Sequence, residues 1–217
     1  MPSYITQYDI HLQPGGYLPG YCEGDVAAGA LYDRAAQLYA IGVWGPNVDY
    51  LGRSLINLYK ELRPGEAPQR VLDMGCTTGN CTTAWAEHFP DAEIHGIDVG
   101  EALLRYGHAR AASMGLAVHF SQQNAEHTEF EDDTIDLVVS HLFMHETSKD
   151  AVIQIFAECR RILKPGGLMM HLDIPRLDQL PPVRAFLAAW ETYNVNEYFA
   201  GVYRDMDVVA AAIEAGF

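Results

Sequence analysis

VLDMGCTTGN, residues 71–80, decides how this chain is read. An apolar strand at 71–74 runs straight into a glycine turn, and a helical pattern follows at once. Gly75 lets the backbone bend sharply and approach a ligand closely. Gly79 falls where the helix begins, at a point where a side chain would obstruct either a ligand or packing. The start of that helix offers N–H groups with no helical partner, a setting suited to an anion such as a carboxylate. A dinucleotide loop would read G-x-G-x-x-G. Here the spacing is Gly75-x-x-x-Gly79 with Asp73 on the preceding strand, which fits an amino-acid-bearing nucleoside better than a pyrophosphate.

Downstream, short apolar runs at 93–98, 117–122, 135–140 and 168–174 read as further strands. Helical patterns lie between them near 79–88, 100–113 and 148–163, and again at 182–194 and 205–215. This alternation predicts a parallel sheet covered on both faces, joined by right-handed crossovers and so doubly wound. Lys164-Pro165-Gly166-Gly167 predicts a tight turn into the fifth strand. Upstream, residues 1–23 carry Pro14-Gly15-Gly16 and Pro19-Gly20 and read as an aromatic-rich loop. Helices follow at 25–42 and from an N-cap at Asn47 to about Leu62. Eight of the twelve tyrosines precede residue 68, so the chain divides into an N-terminal helical lid (1–67) and a Rossmann-like α/β domain (68–217).

Asp98 ends the second strand, 19 residues after Gly79. An acid there can accept hydrogen bonds from vicinal ribose hydroxyls; the competing reading is an N-cap for the helix beginning near Gly100. Asn124 follows the third strand and either meets an adenine edge or simply shapes a turn. The four cysteines form no C-x-x-C pair, and no Cys/His spacing matches a zinc site, so reduced buried thiols are expected. His141 and His145 are four apart beside Glu146, but they straddle a strand end with no third ligand evident, and no metal is expected.

Four stretches together carry a resemblance: VLDMGCTTGN, GIDVGEALL, QQNAEHTEFEDDTIDLVVSHLFMHE and ECRRILKPGGLMM. Over about residues 68–175 the chain resembles the class I S-adenosylmethionine-dependent methyltransferases, in particular the small-molecule group that includes the ubiquinone/menaquinone C-methylases. The resemblance implies S-adenosyl-L-methionine as cofactor and a sheet in the order 3-2-1-4-5. Asp73, Gly75, Thr77 and Gly79 would lie along the methionine moiety, and Asp98 would hold the ribose with Val99 beside the adenine. Asn124 and Ala125 would sit at the adenine edge, and Ser140 and His141 near the methionine or the acceptor. The sequence departs from the family at Thr77, where glycine is usual, and at Asn124, where aspartate is usual. The family's sheet also usually has two more strands; this sequence stops at Phe217, where another strand could begin, so a five-strand sheet is expected.

Methyl transfer needs alignment of donor and acceptor, and a base only if the acceptor must lose a proton. His145 is the base candidate, since imidazole titrates near neutrality. The stretch from His145 resembles plant-type O-methyltransferases, which place a histidine followed by an acid here; the competing reading is a cap for the helix near Ser148. Tyr17 and Tyr21, on the turn-rich loop, are the aromatics expected at the acceptor pocket. A formal charge of −15 repels phosphate backbones and anionic membranes, which argues against nucleic-acid and membrane partners. No signal-like start or spanning apolar run is seen, so a cytoplasmic enzyme on a small acceptor is expected, with homodimerisation left open. Two other readings stand beside it: a binding or regulatory protein that keeps the fold without transfer, and a nicotinamide-dependent oxidoreductase, against which the glycine spacing argues.

Overall fold

A computed structural model describes residues 1–18 and 20–217. Five parallel strands form one sheet in the order β3-β2-β1-β4-β5: β1 (Arg70–Met74), β2 (Glu93–Asp98), β3 (His119–Gln122), β4 (Ile135–His141) and β5 (Leu163–Leu172). The order and the parallel pairing are those expected from sequence. Because β1 lies in the middle, with β2 and β4 on its two sides, the chain reverses direction there, and the crevice opens at the carboxyl ends of β1, β2 and β4.

Alternation along the strands divides the core. From β1, Leu72 and Met74 face one layer, where α5 (Lys149–Ile162) and α8 (Val208–Glu214) bring Val152, Ile155, Phe156, Cys159, Ile162 and Ala211. Val71, Leu137 and Val139 face the other, with α2 (Tyr50–Leu62), α3 (Asn80–His88) and α4 (Glu101–Ser113). There Tyr59, Trp85 and Phe89 pack ring on ring. Each fully buried side chain of this size contributes about 1.5–3 kcal/mol, so both layers hold the sheet firmly. Leu55, Ile56 and Tyr59 belong to this core, so α2 packs on the sheet while α1 (Ala27–Tyr39) and the segment before it cover the crevice.

Three local expectations are corrected. Asn47 does not cap α2: Asp49 holds that position, without a side-chain bond, and the Asn47 carbonyl accepts instead from Asn80 and Arg110. The 164–167 turn is absorbed into β5 as an irregularity, its register with β4 passing from Leu163 opposite Ile135 to Leu168 opposite Leu137. The pattern at 205–215 is α8, shortened to Val208–Glu214, and a helix not expected from sequence, α7 (Ala200–Asp205), precedes it; α6 (Pro182–Asn194), at the expected place, buries no residue. Among the described residues, no helix is long and apolar enough to cross a membrane.

Candidate functional site

The turn after β1 uses left-handed backbone three times: Gly75 (φ +68°), Thr77 (φ +47°) and Gly79 (φ +71°). This tight path carries the Thr77 N–H to Asp98 Oδ2 at 2.9 Å, while Gly100 N–H reaches Oδ1 at 2.8 Å. The glycine turn and the acid of β2 therefore face one another across the carboxyl ends of the strands. The Gly100 bond also answers the capping alternative: Asp98 shapes the entry to α4 and still lines the crevice. Burial pushes its carboxyl above the usual aspartate range, against the two backbone donors.

Two cavities meet at this turn. One, of about 40 Å³, is walled by Asp98, Val99, Asn124, Ala125, Ile97 and Phe143 and roofed by Pro2, Tyr4 and Ile5. The other, of about 80 Å³, lies between Asp73, Cys81, His141 and the lid residues Tyr32 and Trp44. Gly75 is the one residue lining both. The Phe143 ring rests directly on it: a Cβ at Gly75 would come within 2.2 Å of that ring. Sites for small ligands generally span about 300 Å³ or more. Neither cavity reaches that size, and the Phe143 ring stands between them at Gly75.

The two ends differ in chemistry. Asp98 stands beside the apolar Ile97, Val99 and Ala125. At the other end Asp73 is fixed by Thr82 Oγ1–H at 2.6 Å and lies 3.3 Å from His141 Nδ1. Asp73 Oδ1 and His141 Nε2 are buried without a hydrogen-bond partner, which marks this end as polar and unsatisfied. Asn124 lines the first cavity, and its Oδ1 also accepts from Glu126 N–H, so its turn role is real.

Beyond β4 the chain makes a second polar cluster. His145 is 6% exposed, and its Nδ1 donates to Asp173 Oδ1 at 2.5 Å. Asp173 also accepts from Phe143 N–H and Met144 N–H, so it shapes the whole β4 exit. Burial works against protonation of His145, but the Asp173 hydrogen bond and charge outweigh it and raise its pKa. On its other side Nε2 is 3.6 Å from Glu146. Glu146 in turn accepts from Tyr17 Oη at 2.8 Å and pairs with His11 Nε2 at 3.1 Å. Burial alone would raise the Glu146 pKa; His11, His145 and Tyr17 together hold it below the usual glutamate value. The N-terminal segment is thus tied to the β4 exit through one carboxylate.

Several sequence expectations are relocated by these contacts. His145 lines neither cavity and caps no helix; Ser148 caps α5 with its own hydroxyl. Ser140 is fully buried with its hydroxyl on His171 Nδ1 at 2.7 Å, away from the crevice, because alternation turns it to the other side from its neighbour His141. Gly79 lines neither cavity; a Cβ there would strike the Phe120 ring at 2.6 Å, so packing explains it. Tyr21 is 68% exposed and stands outside the crevice, whereas Tyr17 is engaged with Glu146 and Tyr32. Sequence reading missed Asp173, Phe143 and Asp33. Asp33, 1% exposed on α1, accepts from Asn80, Tyr106 and Arg110 and so ties the lid to the glycine turn and α4. Its position on an apolar helix face was the one available signal.

Residues 71–167 match the family described as a methyltransferase domain. The ubiquinone/menaquinone biosynthesis C-methyltransferase UbiE of Cupriavidus metallidurans is 36% identical over 118 residues, which are 54% of this chain and 46% of that protein. UbiE of Bordetella avium is 33% identical over 136 residues, covering 62% of this chain and 50% of that protein. The chain spans about half the length of these curated relatives. Among solved structures, phosphoethanolamine N-methyltransferase 2 of Haemonchus contortus superposes with a TM-score of 0.64 at 21% identity, over 85% of this chain and 41% of that one. YcgJ of Bacillus subtilis gives 0.52 at 25% identity, over 64% and 58%. In sequence over the central domain and in fold, the chain is similar to the class I S-adenosylmethionine-dependent methyltransferases.

Proposed function

We propose, from that similarity and from the site, that the chain binds S-adenosyl-L-methionine and transfers its methyl group to a small-molecule acceptor. The observation that carries the reading is the junction of the glycine turn with Asp98, the Thr77 N–H to Asp98 bond at the carboxyl ends of β1 and β2. Asp98 would accept the ribose hydroxyls, with Val99, Asn124 and Ala125 around the adenine and Gly75, Thr77 and Asp73 along the amino-acid portion. When bound, the cofactor supplies a methyl already activated by a positively charged sulfur. The protein's share is then to bind, align and exclude water, and alignment alone can supply much of the rate.

For an acceptor that must shed a proton from oxygen, His145 would be the base, since Asp173 fixes its ring and its basicity. That role needs Glu146 to leave the Nε2 side, which happens only when the lid segment carrying His11 and Tyr17 withdraws. The formal charge of −15 supports a small acceptor over nucleic acid or an anionic membrane. The second reading, a binding or regulatory protein without transfer, draws on the small volume of the two cavities. Calorimetry with S-adenosylmethionine and S-adenosylhomocysteine, followed by mass spectrometry of a metabolite extract incubated with methyl-labelled donor, tests both. Binding with a labelled product is expected. Binding without any labelled product favours the second reading, and no binding of either nucleoside refutes the first.

A further inference from the structure

Helix α6 wears its large apolar residues on the outside. Val183, Phe186, Leu187, Trp190 and Tyr193 are each more than half exposed, and spacings of three and four residues place them along one side of the helix. The small Ala185 and Ala188, with Thr192, are half-buried and mark the side turned to the protein. A surface helix ordinarily turns its apolar stripe toward the core; here, among the described residues, nothing covers it.

The patch continues past α6. Tyr39 Oη donates to Glu191 Oε1, which joins the end of α1 to the flank of α6, and Leu38, Ile41 and Val43 around it are also more than half exposed. Aromatic side chains carry about 150–250 Å² each, so Phe186, Trp190 and Tyr193 alone present roughly 300–500 Å². The aliphatic residues bring the patch to roughly 800 Å², more than the largest patch on a typical monomer and about what each partner gives to a standard interface.

Charge selects the partner. The chain carries −15, yet α6 has one cation and one anion, Arg184 and Glu191, and residues 35–47 have neither. Seven residues apart, Arg184 and Glu191 lie on the same flank of the stripe, equidistant from a point between Leu187 and Ala188 near the middle of the helix. A two-fold axis through that point lays α6 antiparallel on its copy and sets Arg184 opposite the other copy's Glu191, twice. Arg184 is exposed, and Tyr39 takes up only Oε1 of Glu191, so both groups are open to this pairing. A lipid surface would meet the apolar stripe but not the paired charges.

We propose that this face is a homodimer interface, in which α6 packs antiparallel on α6 of a second copy and the uncharged end of α1 widens the contact. Sedimentation velocity of the full chain from about 1 to 100 μM tests it, with a dimer expected in the upper part of that range. Arg184→Glu sets like charges together at both ends and is expected to weaken the dimer about tenfold or more; Arg184→Glu combined with Glu191→Arg is expected to restore it to within about threefold. Trp190→Glu is expected to be monomeric throughout, with unchanged far-ultraviolet circular dichroism because the side chain is exposed. In a Cys22→Ser background, Leu187→Cys, next to the axis, is expected to form an intermolecular disulfide on oxidation with diamide, whereas Val209→Cys, exposed on α8, is not. A wild type that is monomeric throughout, a charge exchange that does not restore the dimer, or equal cross-linking at the two cysteines overturns the proposal. Flotation of monomeric wild type with neutral phosphatidylcholine vesicles overturns it too and assigns the face to lipid.

Discussion

Thr77→Gly is the substitution whose outcome follows most directly from the backbone. Thr77 sits at φ +47°, between Gly75 and Gly79, and delivers its N–H to Asp98. Left-handed backbone costs a residue with a Cβ about 1–2 kcal/mol, and a β-branched side chain is among the worst suited to it. Glycine removes that cost and keeps the N–H, but gives back about 0.5–1 kcal/mol in chain entropy lost on folding. The net expectation is a stabilisation of about 0.5–1 kcal/mol. For a chain of this size, with about 2–4 °C of melting temperature per kcal/mol, that is a rise of roughly 1–4 °C. Urea denaturation read at equilibrium is the assay, with an unchanged slope required so that the shift in midpoint reports stability alone. Thr77→Ala is the control: it keeps a Cβ in the same conformation and gains little. Were the glycine variant no more stable than wild type at equal slope, or the alanine variant stabilised as much, strain at residue 77 would not be the governing term.

Asp98→Asn leaves one acceptor oxygen where two now serve Thr77, Gly100 and the proposed ribose; at about 1.5–3 kcal/mol per charged hydrogen bond, donor affinity falls roughly ten- to a hundredfold by calorimetry. Phe143→Ala joins the two cavities at Gly75; donor association, followed by stopped-flow fluorescence of Trp44 in the cavity wall, speeds up, and an unchanged rate removes the ring from the entry path. Truncating this half-buried ring costs less than the roughly 3–5 kcal/mol typical of a fully buried phenylalanine. The latch at Glu146 depends on pH in two directions. His11 has a raised pKa, since Glu146 outweighs its burial, so its contribution is whole below its unfolded value of 6.5 and is lost as pH rises through the folded one. Glu146 is depressed, so its contribution is present above 4.5 and lost as pH falls through its folded value. Protection of the amides of residues 3–17, taken as the intrinsic exchange rate at each pH divided by the observed one, is therefore greatest between about pH 4.5 and 6.5 and falls above neutrality; His11→Ala abolishes the alkaline limb, and a flat protection profile in wild type excludes the latch.

The sheet was legible because each of its signals is local. Apolar runs such as IDLVVS mark a strand buried on both faces, and the turn at 75–79 needs glycine for reasons carried by the backbone itself. Asp98 was legible because the end of β2 in a doubly wound sheet faces the crevice whatever the rest of the chain does. The polar contacts that set up the β4 exit were not. Asp173 meets His145 across 28 residues, and Glu146 meets His11 and Tyr17 across 135 and 129, so no window of sequence holds both partners. Ser140 and His141 show the limit at its sharpest. As neighbours on β4 they point to opposite faces, and a reading that placed both at the ligand had to be wrong about one of them.

The same long-range contacts bear on how the site works. Glu146 is shared: it holds the lid through His11 and Tyr17, and it faces the free nitrogen of His145. Glu197 adds a second carboxylate, 3.7 Å from the other nitrogen of His11. Two buried acids around one imidazole hold together only while that imidazole is charged, since like charges in a low-dielectric setting repel strongly. The closed crevice, with about 40 Å³ at one end and 80 Å³ at the other, is too small for the proposed donor. On the proposed reading, admission of the donor and withdrawal of the N-terminal segment would be one event. That event takes the cationic and phenolic partners away from Glu146 and so changes the electrostatics around His145. The base candidate and the entry gate share a carboxylate, and neither can be perturbed alone: a Glu146→Gln variant must move both lid exchange and any dependence of rate on His145, in the same samples.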